Sequence, residues 1–506
     1  MSLPLILSLA VPLVGALLVY LTGARPNLRE AMTGLASLAT FGCVAALAPE
    51  VWDGARPAWV PIEQMLPGVP LAFEVEPLGM LYALVAATLW PLTSLYAVGY
   101  MRSHHETNQT RFFVCFALSI FAALGIAFAA NLATLFLFYE VLTLCTYPLV
   151  THQQTPEARR AGRIYLGILM GTSVGLLLLA IAWTYASAGT LDFTEGGILA
   201  GRVSDSLLPL LLGLFAYGCG KAALMPLHRW LPNAMVAPTP VSALLHAVAV
   251  VKAGVFSVLK IVVYIFGIEL LRSTEASVWL MWVAAFSLLM GSLIAYRQDN
   301  LKARLAYSTI AQLAYIVLGA ALVTPESIVG GGMHIAAHAV GKITLFFCAG
   351  AILLATHKKN VSELDGVGRK MPVTMAAFFV ASLSIIGLPP LGGMWSKFYL
   401  AMGAAEQYPE FVAVLMVSSL LSIGYLIPIP IRAFLMPPRE GAHDDHHDDH
   451  GHEDGGNPAW FRRWLPGEAP WMCVVPLSIT AVGTVVLFFT MHFILELLAP
   501  ISGGLE

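Results

Sequence analysis

Apolar runs of about twenty residues recur along the whole chain, separated by short polar stretches that hold most of its charge. Each run is long enough to cross a hydrocarbon layer about 30 Å thick. The pattern predicts fourteen spanning helices, at 3–22, 28–48, 78–100, 111–129, 131–151, 160–188, 207–234, 239–265, 276–296, 303–322, 327–355, 372–400, 411–436 and 471–495. The expected fold is an all-α polytopic membrane protein forming one transmembrane domain over 1–506. Within it lie an N-terminal three-helix segment (3–100), two five-helix units (111–265 and 276–436), a polar loop (437–469) and a last span (471–498).

The distribution of basic residues orients this array. With the N-terminus outside, nineteen of the 27 Lys and Arg fall on one face, from Arg25 and Arg29 to Arg462 and Arg463, and only Arg56, Arg202 and Arg272 fall on the other. Cytoplasmic loops carry the excess of Lys and Arg, so both termini are predicted on the outer, periplasmic side of a bacterial plasma membrane. No positive residue precedes Arg25, whereas a secretory signal needs a basic start. Residues 3–22 therefore read as a retained span.

The two five-helix units enter the membrane from opposite sides, as an inverted repeat requires. Their corresponding seventh and twelfth spans are both interrupted. One reads Gly218-Cys219-Gly220-Lys221 before Pro226 and Pro232; the other reads Gly387-Leu388-Pro389-Pro390-Leu391-Gly392-Gly393 before Lys397. Proline removes a backbone donor and glycine loosens the helix. Broken backbone at membrane depth is tolerated where protein or a water-filled cavity satisfies it, so paired breaks beside lysines point to ion handling. Helix packing is the competing explanation.

Composition agrees with a membrane protein: 58% hydrophobic residues, 11% charged and a mean hydropathy of +0.77, where soluble domains carry about a quarter charged residues. The six cysteines all lie in apolar runs and read as buried thiols. Walker, dinucleotide-binding, haem-attachment and iron–sulfur motifs are absent from the sequence. No cofactor and no redox or hydrolytic site is expected in this chain, so whether its host complex is an enzyme stays open.

The chemistry resides in the ionisable residues inside the spans: Glu140, Lys221, Lys252, Lys260, Lys342 and Lys397. A charge at mid-bilayer costs at least about 2.5–3.5 kcal/mol. Desolvation disfavours an ammonium and a nearby carboxylate restores it, so motion of Glu140 relative to Lys221 would load or release a proton. A static ion pair is the alternative. Lys260, near the outer end of its span, is expected to snorkel to the interface. His334, His338 and Lys342, spaced by four, share one helix stripe. Histidine both accepts and passes protons near neutral pH, and His246 precedes Lys252 by six residues. These four extend the row as a relay. The stretch holding His443, His446, His447, His450 and His452 among aspartates reads as a solvated linker, with weak metal binding as the other possibility.

Taken together, Glu140, the run from Gly220 to Pro232, Pro238 to Lys252, His334-Ile335-Ala336-Ala337-His338 with Gly341-Lys342, and Gly387 to Pro390 followed by Lys397 resemble a known family. It comprises the antiporter-like subunits of Mrp cation/proton antiporters, respiratory complex I and membrane-bound hydrogenases, and the chain is most similar to the D-type Mrp antiporter subunits. The resemblance implies Glu140–Lys221 as a modulating ion pair, Lys252 as the central lysine, the histidine stripe as connecting relay and Lys397 as terminal switch. It implies other membrane subunits as partners, protons and Na+ as cargo, and no nucleic acid. The expected function is proton translocation in a multisubunit Na+/H+ antiporter. The alternative is a proton-pumping subunit of a complex I-like NADH:quinone oxidoreductase or membrane-bound hydrogenase.

Overall fold

A computed structural model describes residues 2–438 and 466–502, without the side chains of Leu245, His246 and Glu406. The chain begins with α1 (Leu3–Leu21) and α2 (Pro26–Trp52), then a hairpin of β1 (Ala58–Leu66) and β2 (Val69–Glu74). There follow α3 (Pro77–Ser103), α4 (Gln109–Ala127), α5 (Leu132–Val150) and α6 (Pro156–Thr172), which runs through a π turn into α7 (Leu178–Ala188). The seventh expected span is α8 (Leu208–Gly218), an irregular stretch and α9 (Trp230–Asn233); the eighth is α10 (Thr239–Ala243), a π turn and α11 (Val250–Ile261). After α12 (Ile268–Thr274) come α13 (Val278–Arg297), α14 (Leu301–Leu322) and α15 (Pro325–Thr356). The short α16 (Val367–Lys370) precedes the twelfth expected span, α17 (Pro372–Ile386) and α18 (Gly393–Gln407), and α19 (Glu410–Leu426), α20 (Pro428–Leu435) and α21 (Trp471–Leu498) complete the chain.

Among the described residues, eleven helices are long and apolar enough to cross a membrane, and a twelfth span bends by 82° at Gly267. The two shorter apolar helices, Asp205–Gly218 and Pro372–Ile386, are the first halves of the two spans expected to break. Every one of the fourteen predicted segments therefore contains helix. The most apolar part of α14 is 94% buried in protein, and α15 packs on α14, α17, α18 and α21. The polar side chains of this pair thus face other helices, and leucines such as Leu17, Leu35, Leu144 and Leu420 form the exposed outer belt.

The hairpin departs from the all-helical expectation. Its strands alternate around Pro67-Gly68, with Gly68 at φ +73°, a conformation that suits glycine. Trp59 stacks on Phe73, which meets Phe138 edge-on, fixing the hairpin over one end of α5. Among the described residues no cysteine forms a disulfide; Cys219, Cys348 and Cys473 are buried, but Cys43, Cys115 and Cys145 are only half-buried, less than expected.

Gly254 sets the contact between the eighth span and the break in the seventh. A Cβ there would overlap the backbone of Lys221 and Ala222. Gly254→Ala is expected to separate the two elements at a cost of about 1–3 kcal/mol, typical of overpacking. The purified complex should melt at a lower temperature than wild type; an unchanged melting temperature would contradict this contact.

Candidate functional site

The break in the seventh span places Lys221 in the protein interior. The helix α8 ends at Gly218, and Ala223 takes a left-handed conformation at φ +55°. The freed backbone groups find local partners: the Trp230 indole donates to the Gly220 carbonyl at 3.1 Å, and the Met225 amide donates to Ser287 Oγ at 3.1 Å. The fully buried Lys221 Nζ donates to the Tyr139 carbonyl at 2.8 Å and to Thr143 Oγ1 at 2.7 Å. It also sits 3.1 Å from the centre of the Tyr139 ring, a favourable cation–π position.

Glu140, next along α5, lies within electrostatic reach of Lys221, but the two do not close into an ion pair. Both carboxylate oxygens are buried with no hydrogen-bond partner. A buried polar group without partners is costly, and Glu140 is left without them beside the Lys221 ammonium. The expected Glu140–Lys221 pair is thus present as neighbours held apart.

From Lys221 the row crosses to the eighth span. Lys252, fully buried on α11, lies 2.6 Å from His338 Nδ1 on α15, so a direct hydrogen bond joins the two five-helix units. His338 stacks with His334, one turn away, at 6.0 Å between ring centres. His334 lies 2.9 Å from Ser396 Oγ through Nδ1 and 3.1 Å from Gln312 Oε1 through Nε2, and its ring stacks on Tyr315. Tyr315 also neighbours Lys397, whose Nζ lies 4.6 Å from the ring centre.

Lys397 begins the second half of the twelfth span. The helix α17 stops at Gly387, whose φ of +94° turns the chain away. Lys397 Nζ donates to the Ile386 carbonyl at 3.0 Å and to Ser419 Oγ at 3.1 Å. It therefore caps the negative end of the interrupted helix, where a cation is favoured.

Lys342, the third member of the predicted stripe, takes a different direction. Its Nζ donates to Ser308 Oγ at 2.8 Å, and Tyr425 and Ser422 continue that hydrogen-bonded chain. The stripe divides: from His338 one arm runs through His334 toward Lys397, while Lys342 leads to Ser308 and Tyr425. Lys252 and Lys342 are close enough to interact by charge.

Lys260 does not snorkel. It is fully buried and forms an ion pair with Glu76 at 3.1 Å. Snorkelling fails because the lysine finds an acid inside: Glu76 caps α3, just before the third predicted span. Sequence reasoning missed this pair, although Glu76-Pro77 is a recognisable helix-start signal. It also missed Tyr139, Thr143, Ser308, Tyr315 and Ser396, whose residue types are too common in helices to stand out.

His246 falls in the π turn Leu244–Val248, with its side chain outside the described residues. His443, His446, His447, His450 and His452 also lie outside the described residues. Among those described, no group of three His, Cys, Asp or Glu is arranged to hold a metal.

Residues 129–422 match the family model described as "NADH:quinone oxidoreductase/Mrp antiporter, TM". The chain is 35% identical to NADH-quinone oxidoreductase subunit N of Desulforudis audaxviator, over 82% of this chain and 81% of the relative. It is 30% identical to NADH-quinone oxidoreductase subunit L of Mycobacterium tuberculosis, over 95% of this chain and 74% of the relative. Its fold matches a chain of the Mrp complex from Dietzia sp. DQ12-45-1b with a TM-score of 0.84 and 23% identity, covering 99% of this chain and 97% of that one. The matched segment contains every buried lysine and histidine of the row, and this multi-pass membrane protein belongs to the NADH:quinone oxidoreductase/Mrp antiporter transmembrane family.

Proposed function

We propose that the chain moves protons along the mid-membrane row Glu140, Lys221, Lys252, His338, His334 and Lys397 as one component of a larger membrane complex. The observation that carries this reading is the 2.6 Å contact between Lys252 and His338. It links two proton-exchanging groups across the junction of the two units, 111–265 and 276–436, which act as inverted repeats. Confined water bridges the longer steps, from Lys221 to Lys252 and from His334 to Lys397. Glu140 sets the charge on Lys221 as it approaches or withdraws, and Lys397 is the terminal group. The excess of Lys and Arg on the face opposite the hairpin supports a cytoplasmic position for that face, with both termini outside.

In the finer reading, the host is an Mrp-type assembly that exchanges Na+ for protons. The family description includes Mrp antiporters, and the resemblance of the lysine and histidine motifs supports a D-type Mrp role. A second reading has its own support: both relatives above are named as NADH-quinone oxidoreductase subunits, which favours a redox-driven pump. Purification of the native complex under mild conditions separates them. The antiporter reading predicts small membrane subunits only, and Na+-dependent proton exchange in vesicles. Copurifying iron–sulfur and quinone-reducing subunits would replace it with the redox reading. A chain that purifies alone and transports alone would contradict both.

A further inference from the structure

The Glu76–Lys260 pair has no place in the row, yet it is built with unusual completeness. Lys260 Nζ lies 3.1 Å from Glu76 Oε1 and donates to the Ala129 carbonyl at 2.9 Å. Glu76 accepts from the Leu78 amide at 2.6 Å, the Gly79 amide at 2.7 Å and the Tyr264 hydroxyl at 3.1 Å. Phe193 and Phe256 flank the ammonium. Both charged side chains are buried. The site joins the start of α3, the end of α4 and the end of the eighth span, directly beneath the hairpin face. Outside it lies Arg56, which pairs with the partly exposed Glu74 and with the exposed Glu195.

Position along α11 gives the pair its meaning. Lys260 is eight residues beyond Lys252, two turns on the same stripe and about 12 Å along the axis. Between them, Ser257 Oγ is buried with no partner, so a polar foothold exists on the way out. The shortest line from Lys252 to the hairpin face within the first unit therefore runs along α11 past Ser257 and ends at this pair.

A fully hydrogen-bonded ion pair is a poor proton carrier. Its carboxylate faces four donors, and taking one partner from a buried pair leaves an uncompensated charge. This contrasts with Glu140, whose oxygens are bare. Fixed charges at a constriction are also a recognised way for a pore to exclude protons.

Resting on the proposed proton row, we propose that the buried Glu76–Lys260 pair is a charge plug closing the short exit beneath the hairpin, so that protons at Lys252 must travel sideways through His338.

The test is passive proton leak through vesicles holding the whole complex, measured with a pH-sensitive dye under an imposed gradient without the driving reaction. Lys260→Met, which removes the cation and keeps the bulk, should raise the leak by roughly a hundredfold to a few thousandfold, the rate factor that corresponds to breaking a buried pair. Lys260→Arg, which keeps the charge, should stay as tight as wild type. Glu76→Gln keeps an oxygen to cap α3 and removes the counter-charge; it should leak as well, and it serves if Lys260→Met does not assemble. Assembled Lys260→Met or Glu76→Gln complexes as tight as wild type would overturn the plug, as would lost driven transport without leak, which would make the pair part of the conducting path. Driven transport by the wild-type complex is recorded in the same vesicles. Its absence would sink the proton-row reading itself, separately from the plug.

Discussion

Replacing Lys221 or Glu140 with alanine should abolish proton transport while the complex still assembles. A positioned proton-transfer group contributes about 10²–10⁴-fold, so transport should fall to about one hundredth of wild type or less. The two variants act differently on the same step. Lys221→Ala removes the ammonium and leaves the Tyr139 carbonyl and Thr143 hydroxyl facing a lysine-sized space that water can fill. Glu140→Ala removes a carboxylate with no hydrogen bonds to lose, so its stability cost is small and any loss of transport reports the charge itself. Assembly is checked by native gel electrophoresis and transport by dye quenching in vesicles. Normal transport in both variants would remove the Glu140–Lys221 pair from the mechanism.

The second large effect is expected at the junction of the two units. Lys252→Met and His338→Leu each replace one member of the 2.6 Å contact with an apolar side chain of similar reach. Neither side chain holds a covalent or metal link, and both helices are anchored by extensive apolar packing. The fold should therefore survive, while the hydrogen-bonded path from the first unit to the second is cut. Because both changes break one link, their effects should not add: the double variant should transport no more slowly than either single variant. Residues that act as a unit show this non-additivity.

Much of the fold was legible from the hydrophobic pattern because the bilayer imposes it. A spanning segment must satisfy its backbone internally, so long apolar runs read as helices, and the glycine–proline clusters beside Lys221 and Lys397 read as breaks. The β1–β2 hairpin was hidden because its strands, Ala58–Leu66 and Val69–Glu74, are too short for any such length rule. Buried charges were legible individually because each is costly in lipid. Their partners were not, because a contact such as Lys252 to His338 joins helices 86 residues apart in sequence. The stripe His334–His338–Lys342 was correctly placed on one helix, but its forking was invisible: Ser308 and Tyr425, which draw Lys342 away, come from other helices. Lys260 was misread for a related reason, since Glu76 sits at a helix start and not within an apolar run.

Proton uptake by vesicles containing the intact His338→Leu complex offers the sharpest test of whether hydrogen ions travel between the two halves of this protein. The row predicts uptake at the background of empty vesicles, with the wild-type complex active beside it. Uptake at the wild-type rate would mean that protons cross without passing His338, and the lateral route would have to be abandoned.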